Sequence, residues 1–243
     1  IIKYQTSKIV VKLTIIIPVY NEIKTVETLI NKVLLSEVKK QVIVVDDFSS
    51  DGSRELILKY FKSKVDKIIL HDKNYGKGAG IISAKKYISG DYVIIQDADL
   101  EYDPNQYQLF INEVKNKKID ALYGSRVLKK DKFNNVQNLS HKIRIWGNIF
   151  LTFISNIING QKLTDAHTCY KMFKSKVFKS IKLREKGFSF CPEITTKLSI
   201  RNIKIKEVPI NYHGRSYADG KKIVAFDGVR AILTLIKYKF FDV

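Results

Sequence analysis

Four acidic side chains spaced two apart, Asp97, Asp99, Glu101 and Asp103, follow the apolar run in "YVIIQDADLEYDP" (92–104). With 43 Lys and Arg against 24 Asp and Glu, and a formal net charge of +19, the chain makes such a cluster a local exception. One reading is a solvated turn in which Asp103-Pro104 opens the next helix. A calcium loop of the EF-hand type needs Gly sixth and Glu twelfth, where this chain has Tyr102 and Gln108. A third reading is a divalent ion, Mg²⁺ or Mn²⁺, held by Asp99 and Glu101 against a nucleotide diphosphate, because these ions combine one or two carboxylates with phosphate oxygens. It reconciles the cluster with the net charge. Bare carboxylates repel a diphosphate, but with a cation between them they anchor it, and the basic remainder of the chain attracts it.

Other polar groups fall at similar places, each at the end of an apolar run. Tyr20, Asn21 and Glu22 close "KLTIIIPVY" (12–20) and its sequel, and Asp46 and Asp47 close "QVIVVDD" (41–47). Simpler roles exist for them. Glu22 suits the first turn of a helix, and Asp46 and Asp47 suit a cap for the "SSDG" turn. "GKGAG" (76–80) lacks the spacing and following Lys-Ser/Thr of a phosphate loop, so its glycines read as close helix packing, with Lys77 near the nucleotide. His71 and His167 stand alone and read as ordinary polar or half-buried residues rather than metal ligands, and Trp146 as a packing or interface residue. The two cysteines, Cys169 and Cys191, have no metal-ligand spacing and point to a reduced compartment rather than a disulfide framework.

The elements that must position these groups alternate. Strand, helix, strand is read in "KLTIIIPVY", "NEIKTVETLINKVLL" and "QVIVVDDFSSDG", and continues through "SRELILKYFKS", "VDKIILHD", "GKGAGIISAKKYI" and "DYVIIQDAD". The pattern predicts an α/β fold with a doubly wound, mostly parallel sheet, whose ligands sit beyond the carboxyl ends of the strands. At 243 residues and 45% hydrophobic content the chain reads as one domain, 1–243, with a soft division into 12–134 and 135–243. The longest uncharged stretch, 145–161, is interrupted by Asn148, Ser155, Asn156 and Asn159 and makes a poor bilayer span. With no signal peptide read at its start, the chain is expected to be soluble or peripheral at the cytoplasmic face of a membrane.

"TIIIPVYNE", "VIVVDDFSSDGS", "NYGKGAGIISAKKYISGDYVIIQDADLEYDP", "ALYGSR" and "GFSFCPEI…IKEVPINYHGRSY" resemble, in this order over roughly 12–222, the family 2 glycosyltransferases, in particular the group containing dolichyl-phosphate mannose synthase. The resemblance implies a GT-A fold, a Rossmann-like nucleotide-sugar half, and inverting, metal-dependent transfer. It assigns Pro18, Tyr20 and Glu22 to the nucleotide-binding first loop and Val45 and Asp47 to the base-contacting strand end. Asp97, Ala98 and Asp99 match the motif that meets ribose, diphosphate and metal, with Glu101 where mannose synthases carry Gln. It further implies Arg215 with Lys221 or Lys222 near the donor diphosphate, and Arg126 with Arg144 near an acceptor phosphate. GDP-mannose is the favoured donor and UDP-glucose the alternative, because "DAHTCYK" departs from the Asp-x-x-Ser/Thr-Gly form usual in mannose synthases.

The acceptor follows from proton chemistry. A sugar hydroxyl needs a general base, whereas a phosphate monoester with a second pKa of about 6 is already largely dianionic at neutral pH and needs cations. Arg126, Lys142, Arg144 and Arg215 supply them downstream, which favours a phosphate acceptor, and the resemblance implies that it is a polyprenyl or dolichyl phosphate. If the acceptor were a sugar hydroxyl, the resemblance would make Asp165 the base, since family members with hydroxyl acceptors use an acid in that region. Segments 141–159 and 225–240 are amphipathic, with Trp146, Ile149, Phe150, Phe153 and Ile157 on one face of the first and Val229, Ile232, Leu233, Ile236 and Phe240 on one face of the second. They suit an anionic membrane surface as partner, and leave room for a membrane-protein partner. A nucleic-acid role suits the charge, but no recognised motif occurs and the acidic cluster would repel phosphates. A nucleotidyltransferase and a catalytically silent module are the remaining alternatives, separated by whether inorganic diphosphate, nucleoside diphosphate or neither is released.

Overall fold

The computed structural model describes residues 10–115, 117–128, 139–215 and 225–241. β1 (Leu13–Val19), β2 (Lys40–Asp46), β3 (Lys67–Leu70) and β4 (Tyr92–Ile95) are the apolar runs expected as strands, and they pair in parallel in the order β3-β2-β1-β4. Every residue of β1 except Pro18 is buried, as a continuous β-branched run requires when helices cover both faces of the sheet. α1 (Val26–Leu35), α2 (Ser53–Phe61) and α4 (Tyr107–Lys115) press Ile30, Phe61 and Phe110 onto one face. α3 (Lys77–Ala84), α6 (Ser175–Ser180) and α7 (Phe190–Ile200) press Ile81, Phe178 and Ile194 onto the other.

Beyond β4 the simple alternation stops. Among the described residues seven strands form one sheet, ordered β3-β2-β1-β4-β6-β5-β7. β6 (Lys171–Lys174) runs antiparallel between β4 and β5 (Ala121–Ser125), and β7 (Ile205–Pro209) runs parallel to β5. Two reversals across β6 bring β5 and β7 back to the direction of β1. The sheet therefore crosses the soft division near 135, and one edge collects the carboxyl ends of β1, β2, β4, β5 and β7. Arg126, one residue past β5, and Arg215, in the loop after β7, are delivered to the same edge as the acids.

α5 (Leu139–Asn159) and α8 (Ala225–Phe240) pack beside each other and against α7. α5 is turned opposite to a core helix: Thr152, Ser155 and Asn159 are buried, while Trp146 (71% exposed), Phe150, Phe153 and Ile157 (66%) face outward. Among the described residues its buried polar groups find partners, Asn159 Oδ1 excepted. Asn159 donates to Thr196 Oγ1 at 3.2 Å, and Thr152 Oγ1 accepts the Ala166 N–H at 3.2 Å. α8 buries Ala231, Thr234, Leu235 and Tyr238 and exposes Val229, Leu233 and Phe240. No described helix is long and apolar enough to cross a membrane.

Candidate active site

A cavity of about 380 Å³ opens at the carboxyl edge and is lined by Pro18, Tyr20, Glu22, Asp47, Asp97, Ala98, Asp99 and Glu101, together with Lys77, Arg126 and Arg215. Three separate strand ends supply the acids. Between Asp99 and Glu101 the chain turns through Leu100 at φ 62°, a left-handed conformation rare for leucine, which reverses the backbone and lets the Glu101 N–H donate to Asp99 Oδ1 at 3.1 Å. Such a conformation typically costs of order 1–3 kcal/mol and persists where its surroundings fix it.

Arg215 fixes them. Its Nη1 and Nη2 donate to Glu22 at 2.9 and 3.2 Å, Nη2 also donates to Asp99 Oδ2 at 3.0 Å, and its backbone N–H donates to Glu101 Oε1 at 2.8 Å. The Tyr212 hydroxyl donates to Glu101 Oε2 at 2.7 Å, and a single antiparallel bridge between Tyr102 and Tyr212 holds this segment beside the acids. On the other side Lys77 Nζ lies 2.5 Å from Asp97 Oδ1. Burial, then the neighbouring charges of Asp97 and Glu101, push the Asp99 carboxyl up to about 7 against the opposing pull of Arg215. The same edge carries four carboxylates, Glu22, Asp97, Asp99 and Glu101, against the two flanking cations Lys77 and Arg215.

Hard oxygen ligands carrying surplus negative charge fit a divalent cation such as Mg²⁺ or Mn²⁺. Among the described residues no group of three His, Cys, Asp or Glu side chains encloses a metal by itself. A cation here would draw further ligands from a bound diphosphate, as expected for Asp99 and Glu101.

Arg126 and Asp165 form the second charged group. Arg126 Nε donates to Asp165 Oδ2 at 2.6 Å and Nη2 donates to Oδ1 at 2.8 Å, a bidentate fork, while Asn148 Nδ2 donates to Oδ1 at 3.0 Å. The Arg126 N–H adds a further bond to Oδ2 at 3.1 Å, and Glu207 accepts the Asp165 N–H at 2.9 Å. Burial alone would raise the Asp165 pKa, but Arg126 outweighs it and holds the carboxyl below its usual range. Burial likewise works against the Arg126 charge, and Asp165 more than restores it. Both oxygens of the expected base are thus committed, and the side chain is fully buried. Arg126 Nη1, by contrast, has no hydrogen-bond partner among the described residues, on an arginine that lines the cavity.

Some expectations change in detail. Val45 is fully buried, packs with Ile81 beneath the sheet and does not line the cavity, because its side chain points to the α3 face. Asp47 lines the cavity, but its carboxylate accepts the Tyr75 and Gly76 N–H groups at 2.9 and 2.7 Å and meets His71 Nδ1 at 2.6 Å, so it fastens the 71–76 loop. Asp46 turns away to Arg54 at 2.5 Å. The side chains of Lys142 and Arg144, and Lys221 and Lys222 altogether, lie outside the described residues. Tyr102, His167, Cys169, Phe188 and Tyr212 also line the cavity. All five sit in stretches quoted above, where His167 read as an ordinary polar residue, Cys169 as a cysteine without metal-ligand spacing, and nothing but proximity to charged neighbours marked the tyrosines and the phenylalanine.

The fold is that of the GT-A glycosyltransferases. Over 95% of this chain and 79% of the other, it superposes on glucosyl-3-phosphoglycerate synthase from Mycobacterium tuberculosis, solved with Mn²⁺, UDP and phosphoglyceric acid, with a TM-score of 0.69 at 14% identity. Mannosyl-3-phosphoglycerate synthase from Rubrobacter xylanophilus gives 0.68 at 15% identity, covering 94% and 72% of the two chains. The sequence pattern of the glycosyl transferase family 2 matches residues 14–182, and the chain belongs to that family. Its relatives include the dolichol-phosphate mannosyltransferase of Pyrococcus furiosus, 30% identical over 94% of this chain and 64% of that protein. The low-salt glycan biosynthesis hexosyltransferase Agl6 of Haloferax volcanii is 26% identical over 93% and 55%. The UDP-N-acetylglucosamine–dolichyl-phosphate N-acetylglucosaminyltransferase of Methanococcus voltae is 27% identical over 86% and 90%. The chain spans little more than half to two thirds of the length of the first two.

Proposed function

We propose that this glycosyltransferase moves a hexose, with inversion, from a nucleotide sugar to the phosphate of a polyprenyl or dolichyl lipid at a membrane surface. The observation that carries this reading is the Arg126–Asp165 fork. A hydroxyl acceptor needs an available base, and Asp165 is spent on holding Arg126. A phosphate acceptor needs a held cation with a donor to spare, and Arg126 offers Nη1. The names of the Pyrococcus and Methanococcus relatives support the lipid phosphate.

In this reading the dianionic acceptor attacks the anomeric carbon while the bond to the departing diphosphate breaks, and no proton need be removed first. Arg126 holds the nucleophile in line, and Asp165 and Asn148 hold Arg126. Lys77 and Arg215 stand beside the diphosphate, with Pro18, Tyr20, Asp47 and Ala98 walling the nucleotide. Asp99 and Glu101 would hold a Mg²⁺ or Mn²⁺ ion, which when bound supplies positive charge against the leaving diphosphate. The outward apolar faces of α5 and α8, with Arg230 and Lys237 beside them, suit interfacial contact with anionic lipid. The apolar body of the acceptor would then enter from the bilayer.

The test offers the purified protein GDP-mannose, UDP-glucose or UDP-N-acetylglucosamine with Mn²⁺, and either a short polyprenyl phosphate or free sugars. Nucleoside diphosphate release that depends on polyprenyl phosphate is expected, with GDP-mannose used first and a UDP-sugar second. Equal transfer to a soluble sugar would overturn the acceptor, and release of inorganic diphosphate would overturn the reaction class. Flotation with phosphatidylglycerol vesicles at low salt tests the surface, and absence of binding would refute it.

A further inference from the structure

Tyr212, in the loop after β7, lines the cavity and touches both of its charged groups. Backbone pairing brings it there: Tyr212 forms the antiparallel bridge with Tyr102, and the His213 N–H donates to the Glu101 carbonyl oxygen at 3.0 Å. The end of the side chain faces the acids, where its hydroxyl donates to Glu101 Oε2 at 2.7 Å. The flat of the ring meets Arg126 instead. The guanidinium carbon stands over the ring at 5.2 Å from its centroid, within the range of a cation–π contact.

The ring is itself held. Tyr102 meets it at 5.2 Å between centroids, and Tyr102 stacks in turn on the buried Tyr170 at 5.0 Å. Arg126 is pinned in its own plane by the fork to Asp165, so fork and ring together leave the guanidinium little freedom. Glu101 is fixed in the same way, with Oε1 accepting the Arg215 N–H at 2.8 Å and Oε2 accepting the Tyr212 hydroxyl. A carboxylate oxygen has two lone pairs, so each keeps one for a cation. Phenylalanine at 212 would supply the same ring to Arg126 but would leave Glu101 Oε2 without this donor.

Given the roles proposed above for Glu101 and Arg126, on which this reading rests, we propose that Tyr212 is a positioning residue for both halves of the reaction: its hydroxyl holds Glu101 for a divalent cation, and its ring holds Arg126 for the acceptor phosphate. The two contacts use different atoms and can be removed one at a time. Partners that orient a metal ligand typically change metal affinity by about ten- to a hundredfold when lost. A cation–π contact is the smaller of the two and changes binding by about fivefold. A side chain that only filled space would move both affinities together with the melting temperature.

Tyr212→Phe and Tyr212→Leu separate the contacts. Calorimetric titration of Mn²⁺ with GDP or UDP present needs neither acceptor nor transfer, and Tyr212→Phe is expected to weaken Mn²⁺ binding about tenfold. Binding of a short polyprenyl phosphate at saturating Mn²⁺, and the acceptor KM in transfer, are expected to keep their wild-type values in Tyr212→Phe. Both are expected to weaken about fivefold in Tyr212→Leu, which loses the ring. Tyr212→Met, unbranched and longer, replaces it if Tyr212→Leu does not fold. Unchanged Mn²⁺ affinity in Tyr212→Phe would overturn the hydroxyl's role, and equal acceptor binding with and without the ring would overturn the ring's. Equal weakening of both ligands in both variants would reduce Tyr212 to a space-filling residue and overturn both. A wild-type protein that neither binds nor glycosylates polyprenyl phosphate would refute the acceptor role of Arg126 and the ring's role with it, while the Mn²⁺ titration still decides the hydroxyl's. A wild-type protein that binds no Mn²⁺ would refute the latter.

Discussion

Replacing Asp165 with Asn separates the two roles a carboxylate has at this position. In the folded chain Asp165 is fully buried and accepts four hydrogen bonds, three from Arg126 and one from Asn148. Asn keeps the shape but not the charge, and leaves the Arg126 guanidinium facing a neutral neighbour. Breaking a buried pair on one side costs about 3–5 kcal/mol. In a chain of this size each kcal/mol moves Tm by roughly 2–4 °C, so the expected fall is roughly 10 °C. Arg126→Met with Asp165→Leu, which removes both charges, is expected to cost less stability than Asp165→Asn alone while transfer stays lost. Calorimetry and steady-state kinetics with a short polyprenyl phosphate provide the readout, with a raised acceptor KM expected for Asp165→Asn. An Asp165→Asn protein with unchanged Tm and acceptor KM, but with kcat collapsed and the acidic limb of its pH profile gone, would make Asp165 a base and refute the reasoning.

Asp99→Ala is expected to remove nearly all transfer, since loss of such electrostatic support costs several kcal/mol in the transition state; Glu101→Gln, which keeps an oxygen for the Arg215 N–H, should lose less, and equal losses would refute that division. Asp99 sits near 7 when folded, against about 4 for a free carboxyl, so the folded chain holds a proton that the unfolded chain has released between about pH 4 and 7. Metal-free stability is therefore expected to decline as pH rises through that window, while Mn²⁺ affinity, which needs the carboxylate, rises about tenfold from pH 6 to 8, measurable by calorimetry. Gly78→Ala would set a Cβ 2.2 Å from the Glu185 carbonyl oxygen and should lower stability by about 1–3 kcal/mol. Gly147→Ala, in α5 with nothing within 4 Å of its Cβ, should raise it by up to about 1 kcal/mol in denaturant titration.

Some of this was written plainly in the chain. β1, β2 and β4 are continuous apolar runs ending in polar residues, and in a parallel sheet that regularity alone collects Tyr20, Asp47 and Asp97 on one edge. The close helix packing read in "GKGAG" holds as well, against the 185–187 backbone. β6 was not legible: Lys171–Lys174 is too short and too basic at its ends to signal a buried strand, and its antiparallel insertion is decided by pairing with β4 and β5. Periodicity found the two faces of α5 but not their orientation, which depends on the hydrogen bonds that Thr196 and Ala166 offer its polar side. Asp165 looked like an available acid because only the folded chain brings Arg126, 39 positions away, onto both of its oxygens.

Glu22 and Arg215, which share two hydrogen bonds at the cavity, are separated by 193 positions. A ribosome adding roughly 5–20 residues per second takes about ten to forty seconds to cross that interval. Throughout it the nascent chain carries Glu22, and later Asp99 and Glu101, before the guanidinium that bridges them exists. Strands β1 to β4 have their pairing partners early, but the acids at their ends repel one another until nearly the whole described chain has emerged. The site is therefore assembled last, and translation that stops short of residue 215 releases a sheet half in which Lys77 offsets Asp97 while Glu22, Asp99 and Glu101 lack their cation.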